Sequence, residues 1–228
     1  KELEPVAAAG KPCYIDKPFT ASLADAKAMV KIIKDAKLPC WSSSSLRFDS
    51  AIVAFLADPA KAHEDKKDKA AKADQQKGDE VAVRKDIVGC DAYSPAKLEP
   101  TNPGFFWYGI HGMEILYTIM GPGCSRVQCS STPDGDLAVG IWKDGRIGSM
   151  RGIRKGSSQF GATVLHSRGV ACVPAKGDFY QGLGRALAKF FKTGQVPVPI
   201  DETLEICAFI DAAIRSSQLG GDEIDITL

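Results

Sequence analysis

Leu23, Ala26, Met29, Val30 and Ile33 fall three or four positions apart, so their apolar side chains share one stripe of a helix predicted to run through Ala36. Thr20 and Ser22 supply start signals, with Asp25 three residues after Ser22 as in a capping box, and Pro39 stops the run. Ahead of it, Lys1 to Ala9 reads as the end of a helix closed by Gly10 and Pro12. Cys13-Tyr14-Ile15-Asp16 reads as a short strand halted at Lys17-Pro18, and Cys40-Trp41-Ser42-Ser43-Ser44 as a second. Helix, strand, helix, strand is the pattern of a parallel α/β sheet. Two strands are too few for a stable doubly wound domain, so the opening is expected to be the last third of one.

Downstream the pattern changes. Leu46 to Leu56 predicts a short apolar helix, and Val81 to Val88 a strand, with Pro95, Pro100 and Pro103 marking a loop. Lys61 to Gly78 mixes lysines and acids in near balance and reads as a solvated segment. Gly109 to Met120 predicts a helix stopped at Gly121-Pro122-Gly123. Leu137 to Trp142 and Arg146 to Ile153 flank an Asp144-Gly145 turn, and Phe160 to His166 and Val170 to Val173 flank Ser167-Arg168-Gly169; both pairs predict hairpins. Helices follow at Asp178 to Lys192 and Asp201 to Leu219, and Ile224 to Ile226 offers a terminal strand. Grouped strands with helices at both ends predict an α+β fold: the end of a parallel α/β domain, then a domain with a largely antiparallel open sheet.

Composition narrows the function. Across 228 residues, 44% are hydrophobic, 25% are charged and the net charge is +1, which fits a soluble globular chain and gives no electrostatic footprint for nucleic acid. The longest strictly apolar run, Ala51 to Ala57, is far too short to cross a bilayer, so no membrane partner is expected. Seven scattered cysteines, with no Cys-x-x-Cys, point to buried small hydrophobes rather than a metal site or a disulfide framework. No signal peptide is visible and the chain does not begin with Met. A cytoplasmic location is favoured and export is left open.

Two residues carry candidate chemistry. Lys17 sits at the carboxyl end of a predicted parallel strand, where open α/β sheets place their ligands. A partly desolvated ammonium there can bind a substrate oxygen and stabilise negative charge, although a surface lysine also fits that position. His111 falls in the first turn of a predicted helix, whose positive end disfavours the imidazolium. A neutral imidazole can act as a general base; a packed histidine at a helix start fits equally. Glu114, three residues on, would oppose that effect if close. His63 and His166 are expected at the surface. No Gly-x-Gly-x-x-Gly, Walker or Gly-x-Ser-x-Gly motif is present, and Gly182-x-Gly184 lies inside a predicted helix.

Three segments, in order, resemble a known family. Gly10 to Phe19 resembles the Glu-Lys-Pro region of the Gfo/Idh/MocA oxidoreductases, named after glucose–fructose oxidoreductase and inositol dehydrogenase. Tyr108 to Glu114 resembles their Asp-x-Gly-x-His helix start, and Glu202 to Gly221 their closing helix. The resemblance implies an oxidoreductase using NAD or NADP on a small sugar or cyclitol-like polyol. Residues 1–45 would be the remnant of a dinucleotide-binding Rossmann domain, and residues 46–228 the substrate and oligomerisation domain, pairing with other copies through its sheet. Lys17 and His111 would be catalytic, the lysine beside nicotinamide and substrate and the histidine in proton transfer. Asp16, Lys17 and Pro18 would lie at the cofactor, and Lys17, Trp107, Tyr108 and His111 at the substrate. Two departures stand out. Asp16 replaces the motif's glutamate, and Trp107 stands where the family has an aspartate, four residues before the histidine. An indole cannot orient an imidazole as a carboxylate does. A sugar-binding or assembly module without redox activity is the alternative reading.

Overall fold

The computed structural model describes residues 2–58, 84, 86–156 and 158–228. Its first part is α1 (Leu3–Ala9), β1 (Cys13–Asp16), α2 (Leu23–Asp35) and β2 (Cys40–Ser43). Gly10 closes α1 in the left-handed conformation at φ +62°, which a residue with a Cβ rarely adopts. Ser22 caps α2 by accepting the Asp25 amide at 3.1 Å. The strands β1 and β2 pair in parallel, Cys13 opposite Cys40 and Asp16 opposite Ser43, so both point their carboxyl ends the same way.

A single 3₁₀ turn (Ser45–Phe48) leads into α3 (Ser50–Ala57). The sequence predicts one continuous helix there. Asp49 instead adopts an extended backbone and caps α3 through the Ala51 amide, breaking the run. The remaining elements are β3 (Ile87–Pro95), α4 (Ile110–Met120), β4 (Cys124–Thr132), β5 (Gly135–Trp142), β6 (Ile147–Ile153), β7 (Gly161–His166), β8 (Gly169–Pro174), α5 (Phe179–Thr193), α6 (Ile200–Gln218) and β9 (Ile224–Asp225).

Seven strands form one sheet in the order β8-β7-β3-β6-β5-β4-β9. Only the central β3–β6 pair is parallel; the others are antiparallel. The two predicted hairpins are present as β5–β6 and β7–β8. Two strands differ from expectation. β3 starts at Ile87, and half of the predicted 81–88 strand (81–83 and 85) lies outside the described residues; Pro95 closes β3 rather than opening a loop. β4 is a strand that the pattern misses: a register shift between Cys124 and Arg126 breaks the two-residue period, and six of its nine side chains are polar or charged and face outward or half-outward.

The helix α4 crosses β3 and β6, and all eleven of its residues are buried. The longer α6 lies on β4 with one flank and on α2 and β2 with the other, joining the two sheets. On the other face of β2, Trp41 is fully buried against Phe190 and Val198, with Tyr14 and Phe48 beside it. Burying an aromatic of that size contributes about 2–3 kcal/mol. Gly182 lets α5 come this close: a Cβ there would lie 2.2 Å from the Phe48 carbonyl oxygen. His166, expected at the surface, is buried beside Phe55, because α3 packs over this part of the β7–β8 hairpin. His63 and the segment 61–78 lie outside the described residues. All seven cysteines are free thiols; Cys172 is exposed and Cys13 half-buried. Among the described residues no helix is long and apolar enough to cross a membrane, and no cluster of three metal-ligating side chains occurs.

Candidate functional site

Parallel pairing sets up the site. Lys17 follows Asp16 and Ser44 follows Ser43, and those two predecessors are register partners, so Lys17 and Ser44 leave the carboxyl edge of the small sheet side by side. The amino end of α4 meets that edge. His111, the second residue of α4, places Nδ1 2.6 Å from Ser44 Oγ. The residues just before α4 bring two aromatic rings. The Lys17 ammonium lies 5.3 Å from the Trp107 ring centre and 5.6 Å from that of Tyr108, within the range of cation–π attraction.

His111 is enclosed by rings as well. Tyr108 and Phe160 meet it edge-on at centroid distances of 5.1 and 5.7 Å. Burial, and then the nearby Lys17 charge, push the imidazole pKa down to about 3, so the ring is neutral at neutral pH. Burial likewise lowers the Lys17 pKa, with Asp16 acting against it. Tyr14 ties the motif to the sheet by donating to the Ser43 carbonyl at 3.0 Å and to Asp16 at 3.3 Å. The Lys17–Pro18 peptide bond is cis.

Glu114 plays a different part from the one its spacing suggests. Its carboxylate is buried, and the Arg47 guanidinium holds it at 2.6 and 2.8 Å while also binding Glu202 at 2.7 Å. The His111 shift traces to burial and Lys17, not to Glu114. Of the sequence-stated candidates, the structure therefore gathers Lys17, Trp107, Tyr108 and His111, with Asp16 and Pro18 flanking the lysine. It adds Ser44 and Phe160, which sequence reasoning missed. Ser44 was open to the same argument as Lys17, since it also follows a parallel strand; Phe160 carried no such signal. Three cavities of about 570, 370 and 230 Å³ are lined by other residues.

No family model and no curated protein matches this sequence. Solved structures do match its shape. A myo-inositol dehydrogenase from Corynebacterium glutamicum superposes with a TM-score of 0.75 at 12% identity, covering 100% of this chain and 76% of that one. A scyllo-inositol dehydrogenase from Lactobacillus casei gives 0.70 at 13%, covering 99% and 75%. The WlbA dehydrogenase from Bordetella pertussis, solved with NADH and UDP-GlcNAcA, gives 0.69 at 15%, covering 100% and 75%. The fold is that of the Gfo/Idh/MocA oxidoreductases.

A dinucleotide needs a cradle for its pyrophosphate, usually a Gly-rich turn opening a helix. The β1–α2 connection does not fit that need. It contains no glycine, the Ser22 cap is occupied by the Asp25 amide, and the Asp25 carboxylate puts negative charge at the start of α2.

Proposed function

We propose that this chain forms the substrate side of an NAD(P)-dependent oxidoreductase acting on a sugar or cyclitol-like polyol. The observation that supports it is the convergence of a half-buried ammonium, Lys17, and a buried neutral imidazole, His111, between the rings of Trp107, Tyr108 and Phe160. In this reading residues 1–45 close a dinucleotide-binding Rossmann unit and residues 46–228 form the substrate and oligomerisation domain. Asp16, Lys17 and Pro18 line the nicotinamide end.

Bound nicotinamide would supply or accept the hydride. The chain's own residues bind and orient. Lys17 holds the substrate oxygen and stabilises negative charge on it, where low exposure to water strengthens the attraction. His111 hydrogen-bonds the same oxygen, and the partly exposed face of Trp107 suits the apolar face of a sugar ring. Ile147, Leu165 and Val170 lie in one exposed row across the sheet, through Gly89, and offer the face on which copies would pair.

Turnover of a polyol panel by the full-length protein, with NAD and with NADP, tests the reading. Lys17→Ala is expected to lower kcat/KM by at least a hundredfold with the fold intact; unchanged kinetics would remove Lys17 from the chemistry. One observation favours a second reading, a sugar-binding module without redox activity: Trp107 takes the place of the family carboxylate. Saturable polyol binding without nicotinamide binding, by calorimetry, would select it.

A further inference from the structure

We propose that Ser44 is the positioning residue of His111, donating its hydroxyl hydrogen to Nδ1 and so fixing the imidazole as the tautomer that carries its proton on Nε2. This deepens the reading above, since it assigns His111 a donor role toward the substrate oxygen.

The argument is an accounting of one buried hydroxyl. Ser44 is fully buried, so no solvent satisfies it. Its oxygen already accepts the Leu46 amide at 3.1 Å, as the cap of the 3₁₀ turn. The hydroxyl hydrogen then needs an acceptor. Among the described residues, the only other polar atom within reach of Ser44 Oγ is His111 Nδ1, at 2.6 Å. If Nδ1 carried the proton and donated to Ser44, the serine hydrogen would be buried without a partner. That arrangement costs about 1–3 kcal/mol. The opposite polarity satisfies the hydroxyl and both its neighbours, amide to hydroxyl and hydroxyl to Nδ1, and leaves Nε2–H for a ligand.

A carboxylate partner works the other way. It can only accept, so it draws the proton to Nδ1, leaves Nε2 as a proton acceptor and stabilises the imidazolium. Among the described residues no carboxylate touches the ring. Glu114 is turned onto Arg47, and Trp107 occupies the position where the related motif has an aspartate. The neighbouring Lys17 charge opposes a second proton on the ring. Serine in place of a carboxylate therefore makes His111 a hydrogen-bond donor. Together with the Lys17 ammonium it presents two donors to one oxygen, a pair suited to a carbonyl or an alkoxide.

Long-range proton–nitrogen NMR of the full chain, labelled with ¹⁵N-histidine, tests this. His111→Gln identifies its signals among the three histidines. The expected result is a single neutral Nε2–H form from pH 7 down to pH 5, with Nδ1 shifted by its hydrogen bond. Ser44→Ala should move the Nδ1 resonance toward the unbonded value, and Ser44→Thr should restore it. A proton on Nδ1 in the native chain would overturn the proposal, as would an Nδ1 resonance identical in Ser44→Ala. If Ser44→Ala does not fold, the native tautomer alone decides. No substrate or cofactor enters the measurement, so its outcome is separate from the dehydrogenase reading.

Discussion

Arg47 Nε lies 2.8 Å from Glu114 Oε2, joining two residues sixty-seven positions apart in a place closed to water. The guanidinium pairs with Glu202 as well, so one cation links the turn after β2, the middle of α4 and the start of α6. Such a group is costly to disturb because each partner depends on it. Arg47→Ala is expected to destabilise the chain by about 3–5 kcal/mol, leaving two carboxylates buried without a counter-charge. Urea denaturation would measure it. Adding Glu114→Gln and Glu202→Gln to that variant should recover part of the loss; a midpoint unmoved by Arg47→Ala would show the network to be energetically idle.

His111 gives a pH dependence with a defined sign. Its ordinary value is 6.5, and burial with the Lys17 charge brings it to about 3 in the fold. Between those values the unfolded chain holds the extra proton and the native chain does not. Stability therefore falls as pH is lowered through that window, by up to about 1.4 kcal/mol per pH unit from this one group. Comparing native and His111→Gln denaturation curves at pH 7 and pH 5 isolates it. A native chain no more pH-sensitive than the variant would contradict the assignment.

Asp49 is fully buried and accepts three backbone amides, from Ala51, Lys176 and Gly177, at 2.9, 2.9 and 3.0 Å. It caps α3 and pins the segment that leads into α5. Asp49→Ala strands three donors and should cost about 2–4 kcal/mol, whereas Asp49→Asn, which keeps one acceptor oxygen, should cost less. Thermal denaturation of the two variants gives the ranking; equal melting points for Ala and Asn would refute the cap.

Thiol labelling should follow burial. Burial pushes the pKa values of Cys40, Cys124, Cys129 and Cys207 up to about 12, which suppresses the reactive thiolate. Cys172 is exposed. A chromogenic disulfide reagent should modify Cys172 first in the native chain, then half-buried Cys13, and the others only after denaturant is added. Cys172→Ser should abolish the fast phase. Fast labelling that survives this substitution would mean that a core thiol is open to solvent.

Much of this arrangement can be read from residue order, and the exceptions have physical causes. The capped helix at Ser22, the stop at Gly10 and the Asp144-Gly145 hairpin all rest on local chemistry, which a sequence displays directly. The strand β4 does not, because its bulge at Cys124 shifts the alternation out of phase. The break at Asp49 was hidden since two of its three amides, Lys176 and Gly177, come from a distant segment. At the site, Lys17 and His111 were suggested by their positions on a strand end and a helix start. The Ser44 contact depends on α4 arriving at the small sheet, a tertiary event. Glu114 would have countered the helix-end effect on His111 only if close, and its side chain turns toward Arg47 instead.

The helix α6 rests on both sheets at once, touching β2 and α2 along one flank and β4 along the other. Neither sheet can shed its covering without stripping the other. The small parallel pair, too short to persist alone, thus borrows its permanence from the larger sheet, and calorimetry should record a single melting peak instead of two.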